Sequence, residues 1–251
     1  MKLLTLARDL RRRKAREKHS LFVAEGVRSV EELLRSGLKI RGVLVAPQLS
    51  DAPRGQALRK SLDESRVEVA EVSEKDFRSA AETESPQGVI AIGEVPSRSL
   101  DTLQFPEVCR LILLDGVQDP GNAGTIVRTA AALGATATVA LPGTVDLWNA
   151  KVIRSSMGVQ FHHQAFHAGV EEVLSFLERK NIDLWATDAA GSTLDEAAIH
   201  VDETAGHGER VDLLRIDDEK VPVEITPARE ARHRVAEDVD VTIQLGILDD
   251  R

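Results

Sequence analysis

The spacing of apolar residues along this chain switches repeatedly between a helical repeat and short strand-like runs, which predicts an α/β protein. Leu3, Leu6 and Leu10 give the start a helical apolar stripe. Strands are predicted over 21–24, 40–46, 67–72 and 88–93. Helices are predicted over 27–36, stopped by Gly37, over 56–65, and over 74–82, capped by Ser73. This alternation makes residues 1–95 a small α/β domain. Residues 96–108 are polar, with Pro96 and Pro106 near their ends, and read as a short linker.

A second unit opens at Cys109. The uniformly apolar run 111–114 suits a parallel strand buried on both faces. A turn of punctuating residues, 115–121, leads into a helix carrying Ile126, Val127, Ala130, Ala131 and Leu133, closed by Gly134. Asn122 is the candidate N-cap, and Arg128 lies nearly two turns further on, on roughly the same side. Such a strand, turn and helix N-terminus place ligand-binding groups at the carboxyl edge of a sheet. A strand at 136–140, a helix at 170–180, a strand at 183–187 and a turn at 188–191 complete a unit of 109–200. The tail, 201–251, carries 14 acidic and 7 basic residues around strand-like pieces at 211–216, 221–225 and 239–248.

Composition narrows the function. With 42% hydrophobic residues and a net charge of −9, the chain is of globular type and unsuited to binding nucleic acid over its whole surface. A local basic patch is a different matter: Arg8, Arg11, Arg12, Arg13, Lys14, Arg16 and Lys18 face only Asp9 and Glu17. That segment reads equally as a solvated amphipathic helix or a phosphate-contacting arm; with no aromatic anchor on its apolar face, membrane-surface binding is the weaker option. No signal peptide or membrane-spanning run is expected, and a single cysteine, Cys109, suits a cytoplasmic protein and a small core residue. His162, His163 and His167 cluster without a carboxylate or thiol at ligand spacing, so no metal is expected.

The chemistry-bearing residues lie in DPGNAGTIVRTAAALGA, with Asn122, Gly124 and Arg128, and in 146–158, with Asp146, Asn149, Lys151, Arg154, Ser156 and Gly158. These resemble, in order and spacing, the first and second motifs of the SpoU (TrmH) RNA ribose 2′-O-methyltransferases of the SPOUT superfamily. FVAEGVRSVEELLRSG and SPQGVIAIGE resemble that family's N-terminal substrate-binding domain. The resemblance implies an RNA-binding domain like certain ribosomal proteins, followed by a SPOUT-type parallel-sheet domain. It implies methyl transfer from S-adenosylmethionine to a ribose 2′-hydroxyl of rRNA or tRNA, in a homodimer, with no metal. By the same resemblance Arg128 is the central catalytic residue, Asn122 orients the ribose, and Ser156 completes the catalytic set. Glu25, Arg28, Lys151 and Arg154 are the RNA-binding candidates. Thr187, Ala189 and Gly191, at and after the strand that ends the recognisable region, are the cofactor-binding candidates. A guanidinium stays protonated, so Arg128 is expected to hold phosphate and stabilise the developing alkoxide while a phosphate or water takes the proton.

The resemblance stops near residue 200. The family's third motif, a Gly-Asn-Glu turn, an Ile-Pro-Met loop and Ser-Leu-Asn-Val opening a helix, has no counterpart. That motif builds the trefoil knot, much of the cofactor site and much of the dimer interface, so the knot is in doubt. The tail is either natural divergence that has lost methyl transfer or the product of a shifted reading frame. The alternative function is a catalytically inactive RNA-binding protein. A nucleotide-dependent oxidoreductase is disfavoured, because no G-x-G-x-x-G follows any strand.

Overall fold

The computed structural model describes residues 2–104, 106, 109–180, 182–187 and 242–248. The first unit contains α1 (Leu3–Leu10), α2 (Arg13–His19), β1 (Leu21–Glu25), α3 (Val27–Arg35), β2 (Ile40–Val45), α4 (Pro53–Glu64), β3 (Val69–Glu71), α5 (Glu74–Ala80) and β4 (Val89–Glu94). Its sheet has the order β1-β4-β2-β3, with β4 antiparallel to both neighbours and β3 parallel to β2. Helix α4 starts earlier than its apolar pattern indicates, because Pro53 occupies the first turn with its φ preset for the helix. Ser73 caps α5, its hydroxyl accepting from the Asp76 N–H.

Both faces of this sheet are covered, which is why β1 is buried along its length. One face takes Leu6, Ala7 and Leu10 of α1 and Phe77 of α5 against Val23, Leu44 and Ile92. The opening apolar stripe is therefore a packing surface. The other face takes Val30 and Leu33 of α3 and Leu58 and Leu62 of α4, and the same cluster includes Trp148, Ile153 and Phe161 from the second unit. Phe22 is the hinge of that contact, with ring centroids 4.7 Å from Trp148 and 5.5 Å from Phe161.

The second unit contains β5 (Arg110–Asp115), α6 (Pro120–Ala132), β6 (Ala137–Ala140), α7 (Ala150–Ser155), β7 (Gln164–His167), α8 (Val170–Lys180), β8 (Ile182–Thr187) and β9 (Thr242–Leu248). Its sheet has the order β7-β6-β5-β9-β8. Strands β5, β6 and β7 are parallel, as expected of the buried run 111–114. Strand β9, from the polar tail, pairs antiparallel with both β5 and β8, so the sheet is mixed and β8 runs the same way as β5. The predicted pieces at 211–216 and 221–225 lie outside the described residues.

The stretch 96–104 is packed rather than loose. Leu100 and Leu103 are buried with Leu111, Val139 and Phe176 in the core of the second sheet. Arg98 donates from Nη1 to the Gln160 and His163 carbonyls and from Nη2 to Phe161 O, and its guanidinium carbon lies 5.8 Å from the Trp148 ring centroid. Burial pulls that guanidinium below its usual pKa range.

Candidate functional site

The carboxyl edge of the second sheet gathers the turn after β5, the turn after β6 and the end of β8. Asp115 and Thr187 flank Thr242 and Ile243 of β9 in register, two strand spacings or roughly 10 Å apart. The motifs do not single out Asp115 as a site residue; burial pushes its carboxyl pKa up. Thr187 ends β8, while Ala189 and Gly191 lie outside the described residues.

Helix α6 begins differently from the sequence expectation. Pro120 sits at the first helical position, which moves the cap to Asp119, whose Oδ1 accepts from the Asn122 N–H at 2.8 Å. Asn122 is thereby released from capping, and its side chain is exposed in the first turn. The Asn122 N–H is also the main reason the Asp119 carboxyl lies below its usual pKa range, with the charge of Lys151 helping. Lys151 Nζ stands 3.7 Å from Asp119 Oδ2, joining the first turn of α7 to that of α6. At the start of α7, Asn149 is the cap, its Oδ1 accepting from the Lys151 N–H at 2.8 Å.

Arg128 follows Gly124 by one turn, and Gly124 is where α6 touches α7. A Cβ at Gly124 would lie 2.5 Å from Val152 O, 2.6 Å from Ser155 Cβ and 2.9 Å from Ser156 N. Arg128 therefore lies on the α7 side of its helix, half-buried and without an ion pair to any described residue. Six residues at about 100° each put Asn122 roughly 120° around the axis from Arg128, so the expectation that the two share roughly one side of the helix does not hold. Ser156 is fully buried, and its hydroxyl donates to Ile153 O at 2.9 Å. It packs the α6–α7 contact in this chain and does not face the edge.

The remaining candidates separate from this edge. Glu25, Arg28 and Arg154 line one cavity of about 350 Å³, with Gly26, Ser29, Thr83, Ser85, Gln87 and Met157. Glu25 is 4% exposed, and its carboxylate accepts from Glu82 N at 2.8 Å, Thr83 N at 3.2 Å and the Thr83 hydroxyl. Its charge is thus spent on holding the 82–83 turn. Arg154 has a buried Nη1 with no hydrogen-bond partner among the described residues. The structure thus sorts the predicted residues into an edge group, Asn122, Arg128 and Lys151, and a cavity group, Glu25, Arg28 and Arg154, with α7 carrying members of both.

The basic N-terminal run is largely committed to intramolecular pairs. Arg8 pairs with Asp76, Arg12 with Asp9 and Arg13 with Glu17. Arg16 is 5% exposed; its Nε reaches Asp146 Oδ2 at 2.7 Å, and its Nη1 donates to Leu10 O and Arg11 O. Asp146 in turn accepts from the Trp148 N–H at 2.9 Å. The three clustered histidines point at separate partners. His162 faces Glu32 at 3.6 Å, His163 Nε2 meets the Thr138 hydroxyl at 2.9 Å, and His167 Nε2 accepts from the Leu147 N–H at 3.2 Å. Cys109 is fully buried, with its thiol pKa pushed up by burial, as suits a core residue.

An α/β unit with parallel β5, β6 and β7 and a polar helix start at their carboxyl edge, fused to a four-stranded α/β unit, defines the class: a two-unit α/β protein with candidate site residues at the sheet edge and the inter-unit junction. Comparison with known proteins makes this specific. The model of the SpoU rRNA methylase family matches residues 110–210, ten residues past the point where the motifs cease to be recognisable, and that of the MRM3-like substrate binding domain matches 5–91. The chain belongs to the SpoU rRNA methylase family. It is 32% identical over 183 residues to the 23S rRNA (guanosine(2553)-2′-O)-methyltransferase RlmP of Bacillus subtilis, covering 72% of this chain and 67% of that protein. It is 32% identical over 164 residues to the mitochondrial rRNA methyltransferase 3A of Danio rerio, covering 62% of this chain but only 36% of that protein. Among solved structures, the SpoU methyltransferase AviRb from Streptomyces viridochromogenes, in complex with AdoMet, superposes with a TM-score of 0.64 at 27% identity, over 72% of this chain and 68% of that one.

Proposed function

We propose that this chain is an RNA ribose 2′-O-methyltransferase acting on ribosomal RNA with S-adenosylmethionine as methyl donor. The observation that carries the reading is the pair of motif helices, α6 and α7, set side by side at the sheet edge behind a substrate-binding unit. The relatives named above supply the reaction class. When bound, S-adenosylmethionine supplies a methyl group activated by its sulfonium charge, and the end of β8 with Thr187, Ala189 and Gly191 is where it would be held. The small, uncharged character of those residues suits a backbone-lined cofactor edge. Arg128, beside α7 and without an ion pair among the described residues, holds the phosphate next to the target and stabilises the alkoxide as the 2′-hydroxyl loses its proton. Asn122, freed from capping by Asp119, orients the ribose, and Lys151 is the looser phosphate contact. Ser156 acts through packing, by fixing α7 against α6. A cytoplasmic homodimer belongs to the same reading; no helix among the described residues is long and apolar enough to cross a membrane.

The second reading, an RNA-binding protein without catalysis, is favoured by one observation: the tail after residue 200 lacks the third-motif signatures. Calorimetric titration of S-adenosylmethionine into the purified chain separates the two. Binding, followed by transfer of labelled methyl to 23S rRNA that falls by about 10²–10³-fold in Arg128→Ala, supports the enzyme. No binding to a folded sample would leave the RNA-binding reading. Translating the other frames of the gene past codon 195 tests the origin of the tail; a frame encoding Gly-Asn-Glu and Ser-Leu-Asn would identify a shifted reading frame, and their absence would leave natural divergence.

A further inference from the structure

The cavity between the two units has a largely apolar wall into which a few hydrogen-bond donors are set, and it joins the substrate-binding unit to the second-motif helix. From the first unit come the α3 start and the 83–87 turn; from the second come Arg154 and Met157. Gly26 holds φ +96°, a conformation that turns the chain from β1 into α3, and the Val27 N–H is satisfied by Gln87 Oε1 at 2.9 Å. That bond fixes the Gln87 amide with its oxygen turned to Val27 N–H, and its NH₂ has no partner among the described residues. The next two backbone N–H groups, of Arg28 and Ser29, have no partner among the described residues. They are first-turn donors at the positive end of the helix. The Arg28 guanidinium is exposed at the mouth, and Arg154 contributes a buried Nη1 that no acceptor among the described residues meets.

An orphaned buried guanidinium nitrogen is costly unless an acceptor arrives. The single acidic lining residue does not supply one, since Glu25 is held by Glu82 and Thr83. Two guanidiniums, two amide N–H groups and a carboxamide NH₂ around about 350 Å³ call for an anion with several acceptor oxygens. A cavity of that size admits a phosphate group with room for the sugar beside it. We infer that it takes one backbone phosphate of the RNA substrate, gripped jointly by Arg28 and Arg154, so that a single phosphodiester registers the substrate-binding unit against the α7 side of the active edge. This rests on the RNA-methyltransferase reading and adds Gln87 and the Arg28 and Ser29 amides to the residues that contact substrate.

The test is the salt dependence of binding of the full chain to a 23S rRNA transcript. Removing one phosphate from those the protein neutralises lowers the slope of log K against log salt by about 0.7–0.9. Arg28→Met and Arg154→Met are each expected to lower it by one such step, and the double variant by one step as well, because both side chains serve the same phosphate. Gln87→Glu keeps the acceptor for Val27 N–H but sets a carboxylate in the cavity, and is expected to weaken RNA binding about tenfold with the fold intact by circular dichroism. Arg154→Lys is expected to keep the slope. Slopes unchanged in the single variants, or a fall of two steps in the double, would overturn the shared phosphate while leaving RNA binding itself standing. So would inorganic phosphate binding to the wild-type chain with no change of RNA slope in the variants. A wild-type chain that binds no RNA would overturn both this inference and the reading beneath it.

Discussion

Gly124 shows at the scale of one residue why the first motif needs its glycine. The α6–α7 contact leaves no room for even a methyl group, since the three nearest atoms to an added Cβ are backbone or Cβ atoms that cannot swing aside. Gly124→Ala is expected to destabilise by about 1–3 kcal/mol in urea denaturation, the usual cost of overpacking, and to move Arg128 relative to α7. His163 gives a pH-dependent counterpart. Burial, aided by the charge of Arg98, lowers its pKa from 6.5 to about 4, so the unfolded chain binds the proton more readily than the folded one across that window. Stability contributed by the neutral imidazole is therefore complete above pH 6.5 and is lost as the pH falls toward 4, by about 3 kcal/mol at most. His167 is lowered by burial as well and acts in the same direction. His163→Gln, which can still meet Thr138, is expected to flatten the fall in denaturation midpoint between pH 7 and 4; an unchanged slope would place the titration elsewhere. The motif glycine is legible in the sequence as a motif position. The histidine's role is not, because burial and the Thr138 hydroxyl come from another strand.

At the scale of elements, the clearest gap between pattern and structure is the basic start of the chain. Spacing identifies α1 as amphipathic, and composition leaves its cations and those of α2 equally a solvated face or a phosphate-contacting arm. Charge counts cannot see a partner 130 residues away, and Arg16 has one in Asp146. That pair, with Asp146 accepting from Trp148 N and Asn149 capping α7, makes the N-terminal helices part of the support for the second motif. Arg16→Met would leave a nearly buried carboxylate facing no cation and is expected to cost about 3–5 kcal/mol in denaturant unfolding. Pairing it with Asp146→Asn should restore part of that stability, because the stranded charge is gone. A double variant no better than the single one would mean that the two side chains act independently. The cap of α6 carries a similar lesson. Pro120 is visible as a turn residue, and its preference for the first helical position shifts the cap from Asn122 to Asp119.

For the whole molecule, the sequence distinguishes two α/β units, because periodicity reports each strand and helix locally, but it carries no sign that the units share a core. Aromatic residues are scarce in this chain, yet Phe22, Trp148 and Phe161 meet at one junction, and Arg98 ties the stretch between the sheets to the 160–163 turn. Such contacts join positions more than sixty residues apart, beyond any spacing rule. They bear on function because α7 carries Lys151, beside Asp119 at the edge, and Arg154, at the cavity, within one turn of each other, so its orientation decides whether the edge and the cavity serve one RNA strand. A junction built from buried aromatic rings and a buried ion pair couples the folding of the two units. Far-ultraviolet circular dichroism, which reports both sheets, and the fluorescence of Trp148, followed in a variant with Trp185→Phe, are expected to give coincident denaturation midpoints. Trp148→Ala is expected to cost about 3–5 kcal/mol and to separate the transitions of the two units, since it empties the centre of the shared cluster. Two transitions already present in the wild-type chain would show that the junction is too weak to hold α7, and the joint grip of Arg28 and Arg154 would then have to form on the RNA itself.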